Sequence, residues 1–201
     1  MKYSQYDEEH ILDFFFKKKK DGFVVDIGAA DGVSNSNSRK LILDGWSGLL
    51  VEPNPNNYNK LVNLYNENDK IKILNVGCSF ENGNDLIFYV DQNDEFEQLS
   101  TFSLEQVQKC KEIYGCEFVE KKIDVVKTSD IFSKNNISKI NFLSVDTESF
   151  DYNVIKGIDF EKVEIDLICV EHLNNELENL LTNLNYVVFY KNIGNTFFKK
   201  K

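Results

Sequence analysis

Five ionisable residues stand in or just past short apolar runs, and their chemistry depends on that placement. Glu52 follows Gly48-Leu49-Leu50-Val51, Asp146 follows Phe142-Leu143-Ser144-Val145, and the pair Glu171-His172 follows Leu167-Ile168-Cys169-Val170. Asp26 sits inside a fourth run, Phe23–Ile27, which leads into Gly28-Ala29-Ala30-Asp31-Gly32. An acid about twenty residues past a glycine turn, at the end of the next strand, is placed to accept the two hydroxyls of a ribose. An acid or imidazole at a strand end facing the same crevice is placed to take a proton. The residues therefore outline a pocket for a nucleoside-containing ligand beside a group able to act as a base.

The chemistry of the turn narrows the ligand. A turn built for a pyrophosphate usually reads G-x-G-x-x-G, because the phosphates lie against a helix N-terminus. This one reads Gly28-x-x-x-Gly32, with Asp26 before it and Asp31 within it. Two like charges about 4 Å apart repel by about 4 kcal/mol at an effective dielectric near 20, so these acids oppose a diphosphate. S-adenosylmethionine carries a sulfonium and an ammonium and no phosphate, so the same acids attract it. It is the expected cofactor, ahead of NAD. The plainer alternative is a turn that merely joins strand to helix, and the spacing of Glu52 argues against that.

Of the two histidines, His10 lies outside these motifs and His172 inside them. An imidazole with an ordinary pKa of about 6.5 suits proton transfer at neutral pH, so His172 is the first choice as general base. Glu171 or Glu148 would orient its ring. Plainer roles exist for each: His172 closing its strand end, and Asp146 and Glu148 capping the helix that follows. Asp146 and Glu171 also offer oxygen ligands to a divalent ion such as Mg²⁺, a secondary alternative to a metal-free site.

Positioning these residues requires an alternation of strands and helices. The pattern predicts a helix over 6–20 with a stripe of Ile11, Leu12, Phe15 and Phe16, a strand over 23–27, a helix over 36–44 and a strand over 48–51. Pro53 and Pro55 mark a turn, and a helix follows with Tyr58, Leu61, Val62 and Tyr65 on one face. A third strand over 71–76 is expected to end at Gly77. Asn82-Gly83-Asn84-Asp85 reads as a turn before a strand over 86–90. Residues 91–117 break the alternation and read as an insertion on the substrate side, with a helix over 104–114. Phe96, Phe102 and Tyr114 are expected to shape the acceptor pocket, with Leu99-Ser100-Thr101 facing the crevice. Strands over 118–126, 140–145 and 167–170, helices over 129–132 and 176–184, and a hairpin of 187–190 with 196–198 complete the reading. Strands alternating with helices give an α/β fold with a mostly parallel sheet, expected to have seven strands, and the hairpin adds an antiparallel strand. Residues 1–201 read as one domain, with 1–22 an N-terminal helical segment.

Composition bounds the function. The chain has 201 residues and a net charge of −10, from 23 Lys and Arg against 33 Asp and Glu, and Arg39 is its one arginine. A nucleic-acid binder normally presents an arginine-rich basic face, so nucleic acid is not an expected partner. No apolar run approaches the roughly 20 residues of a membrane span, so no membrane partner is expected either. Lys17 to Lys20 are expected to close the first helix, where cations favour the negative end of the dipole; a phosphate-binding patch is the functional alternative. Cys78, Cys110, Cys116 and Cys169 form no CxxC pair and have no histidine at zinc spacing, which fits reduced thiols and a cytoplasmic location.

VDIGAADGVSNSN, GWSGLLVEPNPNNY, FLSVDTES and ICVEH, in that order, resemble the FkbM-type methyltransferases that use S-adenosylmethionine. The resemblance runs from about Asp26 to His172. It implies a class I methyltransferase (Rossmann-like) fold and O-methylation, often of sugars or polyketide-linked groups, so a small-molecule or glycan acceptor is the expected partner. It carries cofactor contacts onto Asp26, Gly28, Asp31, Gly32 and Glu52, and Ser36-Asn37 matches the family's S-N, so Asn37 joins them; Ala29, Pro53 and Asp146 complete the expected cofactor set. The strand ends, by their own placement, put the chemistry on Asp146, Glu148, Glu171 and His172. The family motif D-x-E-G departs here, because Ser149 stands in place of the glycine. Three other readings compete: an NAD-linked oxidoreductase, a nucleic-acid amino methyltransferase, and a noncatalytic module that keeps the fold. The second would resemble a D/N-P-P-aromatic motif after the fourth strand, where this chain has Asp146-Thr147-Glu148.

Overall fold

Apolar runs without polar alternation must be covered on both faces, and this chain supplies the cover from helices interleaved with its strands. The computed structural model describes residues 2–93 and 97–201. Its first half contains α1 (Glu8–Phe16), β1 (Phe23–Ile27), α2 (Arg39–Leu43), β2 (Ser47–Val51), α3 (Pro55–Leu64) and β3 (Ile71–Leu74). Then come β4 (Gly77–Ser79), β5 (Gly83–Asp91), α4 (Leu104–Tyr114) and β6 (Phe118–Lys127). The chain closes with α5 (Thr128–Lys134), β7 (Lys139–Val145), α6 (Asp151–Lys156), β8 (Glu164–Val170), α7 (Asn175–Asn183), β9 (Tyr186–Lys191) and β10 (Thr196–Lys200).

Seven strands form one sheet in the order β3-β2-β1-β7-β8-β10-β9. Its first five strands run parallel, and β10 lies antiparallel between β8 and β9. Consecutive side chains take opposite faces. Val25, Ile27, Leu143 and Val145 join one core layer, while Val24, Phe142, Leu167 and Phe197 join the other. The chain runs outward from β1 through β2 to β3 and later returns to the other side of β1 as β7. That reversal opens a crevice at the carboxyl ends of the strands, where open α/β sheets bind ligands.

Several boundaries differ from the sequence expectations for local reasons. Helix α1 stops at Phe16, and Lys17 and Lys18 take left-handed φ values of 51° and 58°. The lysines thus lie beyond the helix, on the turn into β1. Helix α2 starts only at Arg39, because Ser36 Oγ accepts its amide and Ser38 reaches back to Asp26. Val62 is exposed; the buried face of α3 is Asn57, Leu61 and Tyr65. Gly77 does not end the third strand but opens β4 of a second sheet, ordered β4-β6-β5, where a side chain would meet Phe102 and Val125 at 2.8 Å. Asn82–Asp85 is not a separate turn: β5 already begins at Gly83, its register against β6 shifts between Gly83 and Leu86, and Asp85 has φ 54°. Helix α6 is the helix expected to follow Asp146 and Glu148, for which the sequence set no bounds; it begins at Asp151, with Phe150 at its N-cap position. All four cysteines are free and buried, and among the described residues no helix is long and apolar enough to cross a membrane.

Candidate active site

The crevice begins where β1 stops. Gly28 has φ +87°, and a Cβ there would sit 1.8 Å from the carbonyl oxygen of Asp146. A glycine is therefore required for the ends of β1 and β7 to close together. Gly28 and Ala29 donate their amides to Val51 O at 2.9 and 3.2 Å, which ties the turn to the end of β2. Ala30, with φ 46°, donates to Glu52 Oε2 at 2.8 Å, and Asn54 donates to Glu52 Oε1 at 2.8 Å. One carboxylate thus organises both loops that border the pocket. Burial pushes Glu52 up to about 7, against the lowering effect of its two amide donors.

Two cavities of about 500 and 720 Å³ adjoin here and share Gly28, Ala30, Gln98 and Asp146. The first has apolar walls, including Pro53, Val76, Phe88, Phe102 and Phe150, with Glu52 at its edge. The second is polar, lined by Asn35, Asn37, Ser144, Glu148 and Glu171 among others. Asn37 Nδ2 reaches Ser144 Oγ at 3.5 Å, while its buried Oδ1 has no partner. Gln98 binds Asn35 and the Ser34 carbonyl, and Glu97 binds Asn54 and Asn56, so the inserted segment spans the crevice from one bordering loop to the other.

Not every expected contact reaches this trough. Asp31 Oδ1 accepts the amides of Val33 and Ser34, and Oδ2 accepts Ser34 Oγ, so this acid holds the turn together and faces its own backbone. Gly32 is a left-handed turn residue packed beneath Leu61, where a side chain would meet Leu61 Cδ2 at 2.5 Å. Neither lines the two cavities. Asp26 borders the polar cavity, but its carboxylate accepts Ser38 Oγ, and burial pushes it up to about 6. Tyr114 is 74 % exposed and lines neither of the two cavities, and Phe96 lies outside the described residues. Leu99 lines the polar cavity and Ser100 the apolar one. Thr101 is buried, its hydroxyl donating to Glu148 O at 2.7 Å.

Asp146, Glu148, Glu171 and His172 do converge. Nδ1 of His172 lies 2.7 Å from Glu171 Oε2, an ion-pair contact without hydrogen-bond alignment. The Glu171 carboxylate raises the imidazole to about 9. Burial would raise Glu171, but His172 and a hydrogen bond with Asp146 outweigh it and hold Glu171 low. Burial, then the charge of Glu171, raises Asp146 well above the carboxylate range and Glu148 to about 8. These shifts favour the charged form of the His172 imidazole and of Glu171 and the neutral form of the Asp146 and Glu148 carboxyls. A charged imidazole has no lone pair for a proton, which weighs against His172 and towards Glu171 as the resting base, and His172 also lines a neighbouring cavity with Lys109 and Asn174. As for a metal, Glu148, Glu171 and His172 each offer a ligand atom, and these lie within 4.8 Å of one another. The imidazolium and the Gln106 amide, which donates to Glu148 Oε2 at 3.0 Å, already supply positive partners there.

The turn after this strand explains how the missing glycine is tolerated. Glu148 and Ser149 both adopt left-handed φ values, 51° and 73°. Ser149 Oγ donates to Gln106 Oε1 at 3.3 Å, which directs the Gln106 amide nitrogen at Glu148. The inserted segment therefore holds a strained turn in place through Thr101 and Gln106. The lining residues missed from sequence, such as Phe88, Gln98 and Phe150, carry no linear signal. Ser144 did carry one, since it precedes Asp146 by two in a strand and must share its face.

The chain matches the model of the methyltransferase FkbM domain over residues 26–188. No curated protein matches its sequence. Among solved structures it is similar to an FkbM methyltransferase from Methylobacillus flagellatus KT, with TM-score 0.55 and 15 % identity over 90 % of this chain and 44 % of that one. This chain thus spans less than half of that protein. The putative methyltransferase yhhF from Escherichia coli superposes with TM-score 0.54 at 9 % identity, covering 100 % of this chain and 89 % of that one. TrmK from M. capricolum, solved with S-adenosyl-homocysteine, gives 0.53 at 8 % identity, covering 98 % and 68 %. At such identities the likeness speaks for the class I methyltransferase fold, and the domain match, which takes in both the glycine turn and the acid cluster, shows that the chain belongs to the FkbM methyltransferase family.

Proposed function

We propose that this chain transfers a methyl group from S-adenosylmethionine to a hydroxyl of a small molecule, with a sugar or glycan as the favoured acceptor. The observation that carries the reading is the joined pair of cavities, apolar with Glu52 at one end and polar with Asp146 and Glu171 at the other. The residues fit the cofactor. The apolar walls suit adenine, Glu52 keeps lone pairs for a ribose diol, and the unpartnered Asn37 Oδ1 offers an acceptor to an ammonium. When bound, the cofactor supplies an electrophilic methyl group. Glu171 would take the proton of the acceptor hydroxyl. His172 serves it as a positioning residue, keeping the carboxylate ionised. A correctly placed general base contributes about 10²–10⁴-fold, and positioning supplies much of the rest.

A divalent ion at Glu148, Glu171 and His172 is the variant reading, and turnover that a chelator does not slow removes it. The first experiment is a thermal-shift titration with S-adenosylmethionine, S-adenosylhomocysteine and NAD side by side. A saturable shift with the first two is expected, since a ligand at 100 times its Kd stabilises by about 2.7 kcal/mol. A shift with NAD alone would overturn the assignment in favour of an oxidoreductase. No shift with any would favour a noncatalytic module.

A further inference from the structure

The chain is acidic overall, at −10, yet Lys199 and the helix that leads into the run Lys17–Lys20 come together around one aromatic ring. Lys17 to Lys20 follow α1 and are all exposed; on β10 Lys199 turns to this side of the sheet and Lys200 to the opposite one, over Tyr186. The ring is Phe189 of β9: Phe15 meets it edge-on at 5.2 Å, Phe14 stacks at 6.3 Å, and Lys199 Nζ sits 5.1 Å over it. Phe14 is left 74 % exposed at the centre. Of the neighbouring acids, Asp13 is engaged by Lys40 and Asp44 by Lys40 and Lys20, while the exposed Asp21 directly follows the lysine run. Lys17, Lys18 and Lys19 have no acidic partner among the described residues.

We propose that this face docks on an anionic lipid bilayer, with Phe14 entering the headgroup layer and Lys17–Lys19 and Lys199 contacting lipid phosphates and carboxylates. Interfacial binding scales with buried apolar area plus attraction to anionic lipids, and this patch supplies both. Nucleic acid fits less well. The one arginine is engaged elsewhere, 5.1 Å over Tyr65, and the patch lies by the amino end of β1, across the sheet from the trough. A nucleic-acid substrate would have to reach the trough, whereas a bilayer docked here leaves it open to an acceptor. The sequence expectation of no membrane partner rested on the lack of a spanning run, which does not bear on a surface contact.

The inference is independent of methyl transfer, and its test needs no acceptor. The chain is floated with vesicles of phosphatidylcholine alone and of phosphatidylcholine mixed with phosphatidylserine. Binding is expected to the mixed vesicles only and to weaken with salt. Reversing Lys17, Lys18 and Lys19 to Glu should cut it by on the order of 10²-fold or more. Phe14→Ser should weaken it further, while reversing Lys111, Lys122 and Lys134 should not. Circular dichroism of each variant verifies the fold. No binding to mixed vesicles, equal loss in the control variant, or retention by a single-stranded oligonucleotide without vesicle binding would overturn the proposal.

Discussion

Glu52→Gln tests the cofactor pocket at its most connected atom pair. The wild-type carboxylate accepts one amide on each oxygen, from Ala30 and Asn54, both at 2.8 Å. Glutamine keeps the shape but presents an NH₂ group to one of those donors, so one loop loses its anchor. The ribose diol loses its charged acceptor as well. Hydrogen bonds to charged groups are worth about 1.5–3 kcal/mol each, so two amount to about 3–6 kcal/mol, or about 10²–10⁴-fold in Kd. Calorimetric titration with S-adenosylhomocysteine measures this without an acceptor. The electrostatics add a second signature. Glu52 is raised to about 7 in the free protein, and its ionised form accepts the diol better. Wild-type affinity should therefore climb with pH up to about 7 and level off above it, and the Gln variant should lack that rise. The ligand-free wild type should lose stability over the same interval. A raised carboxylate stabilises fully below its unfolded value of about 4.3, and that contribution is lost through about 7. An affinity within about twofold of wild type, in a variant with unchanged melting temperature, would refute the role given to Glu52.

The turn after Asp146 allows a matched pair of substitutions. A left-handed non-glycine residue costs about 1–2 kcal/mol and glycine loses about 0.5–1 in entropy, so Ser149→Gly should hold or raise the urea midpoint slightly. Ser149→Val, β-branched at φ 73°, should lower it clearly; equal midpoints would show that the strain is absent. Gly28→Ala should cost about 3 kcal/mol or more and abolish S-adenosylhomocysteine binding, because its Cβ would collide with Asp146 O. His172 is raised to about 9 from the ordinary 6.5 by Glu171. Its stabilising contribution is complete below about 6.5 and fades as pH rises through about 9, so the melting temperature should fall over that window and His172→Gln should flatten the fall. A variant with the same pH slope would remove the imidazolium–Glu171 pair.

Local pattern alone located much of this molecule. An apolar run bounded by a glycine turn has few alternatives, and β1 begins and ends at the predicted residues. Helix α4 also has its predicted bounds, set by the Ser103 cap and the left-handed Gly115. Glu52, Asp146, Glu171 and His172 were legible because an abrupt change from apolar to charged marks a strand's carboxyl end, and those ends converge in a parallel sheet. Tertiary structure decided the rest, since burial and charge are properties of the assembly. It turned Asp31 inward onto its own backbone and drew Gln98 and Phe102 over the pocket from outside the main sheet. It also brought Lys199 and the helix that leads into Lys17–Lys20 together around Phe189 in an acidic chain. Most of all it set protonation. The type of His172 suggests a neutral base, but the carboxylate 2.7 Å from its ring makes it a cation, and nothing in the order of residues encodes that distance.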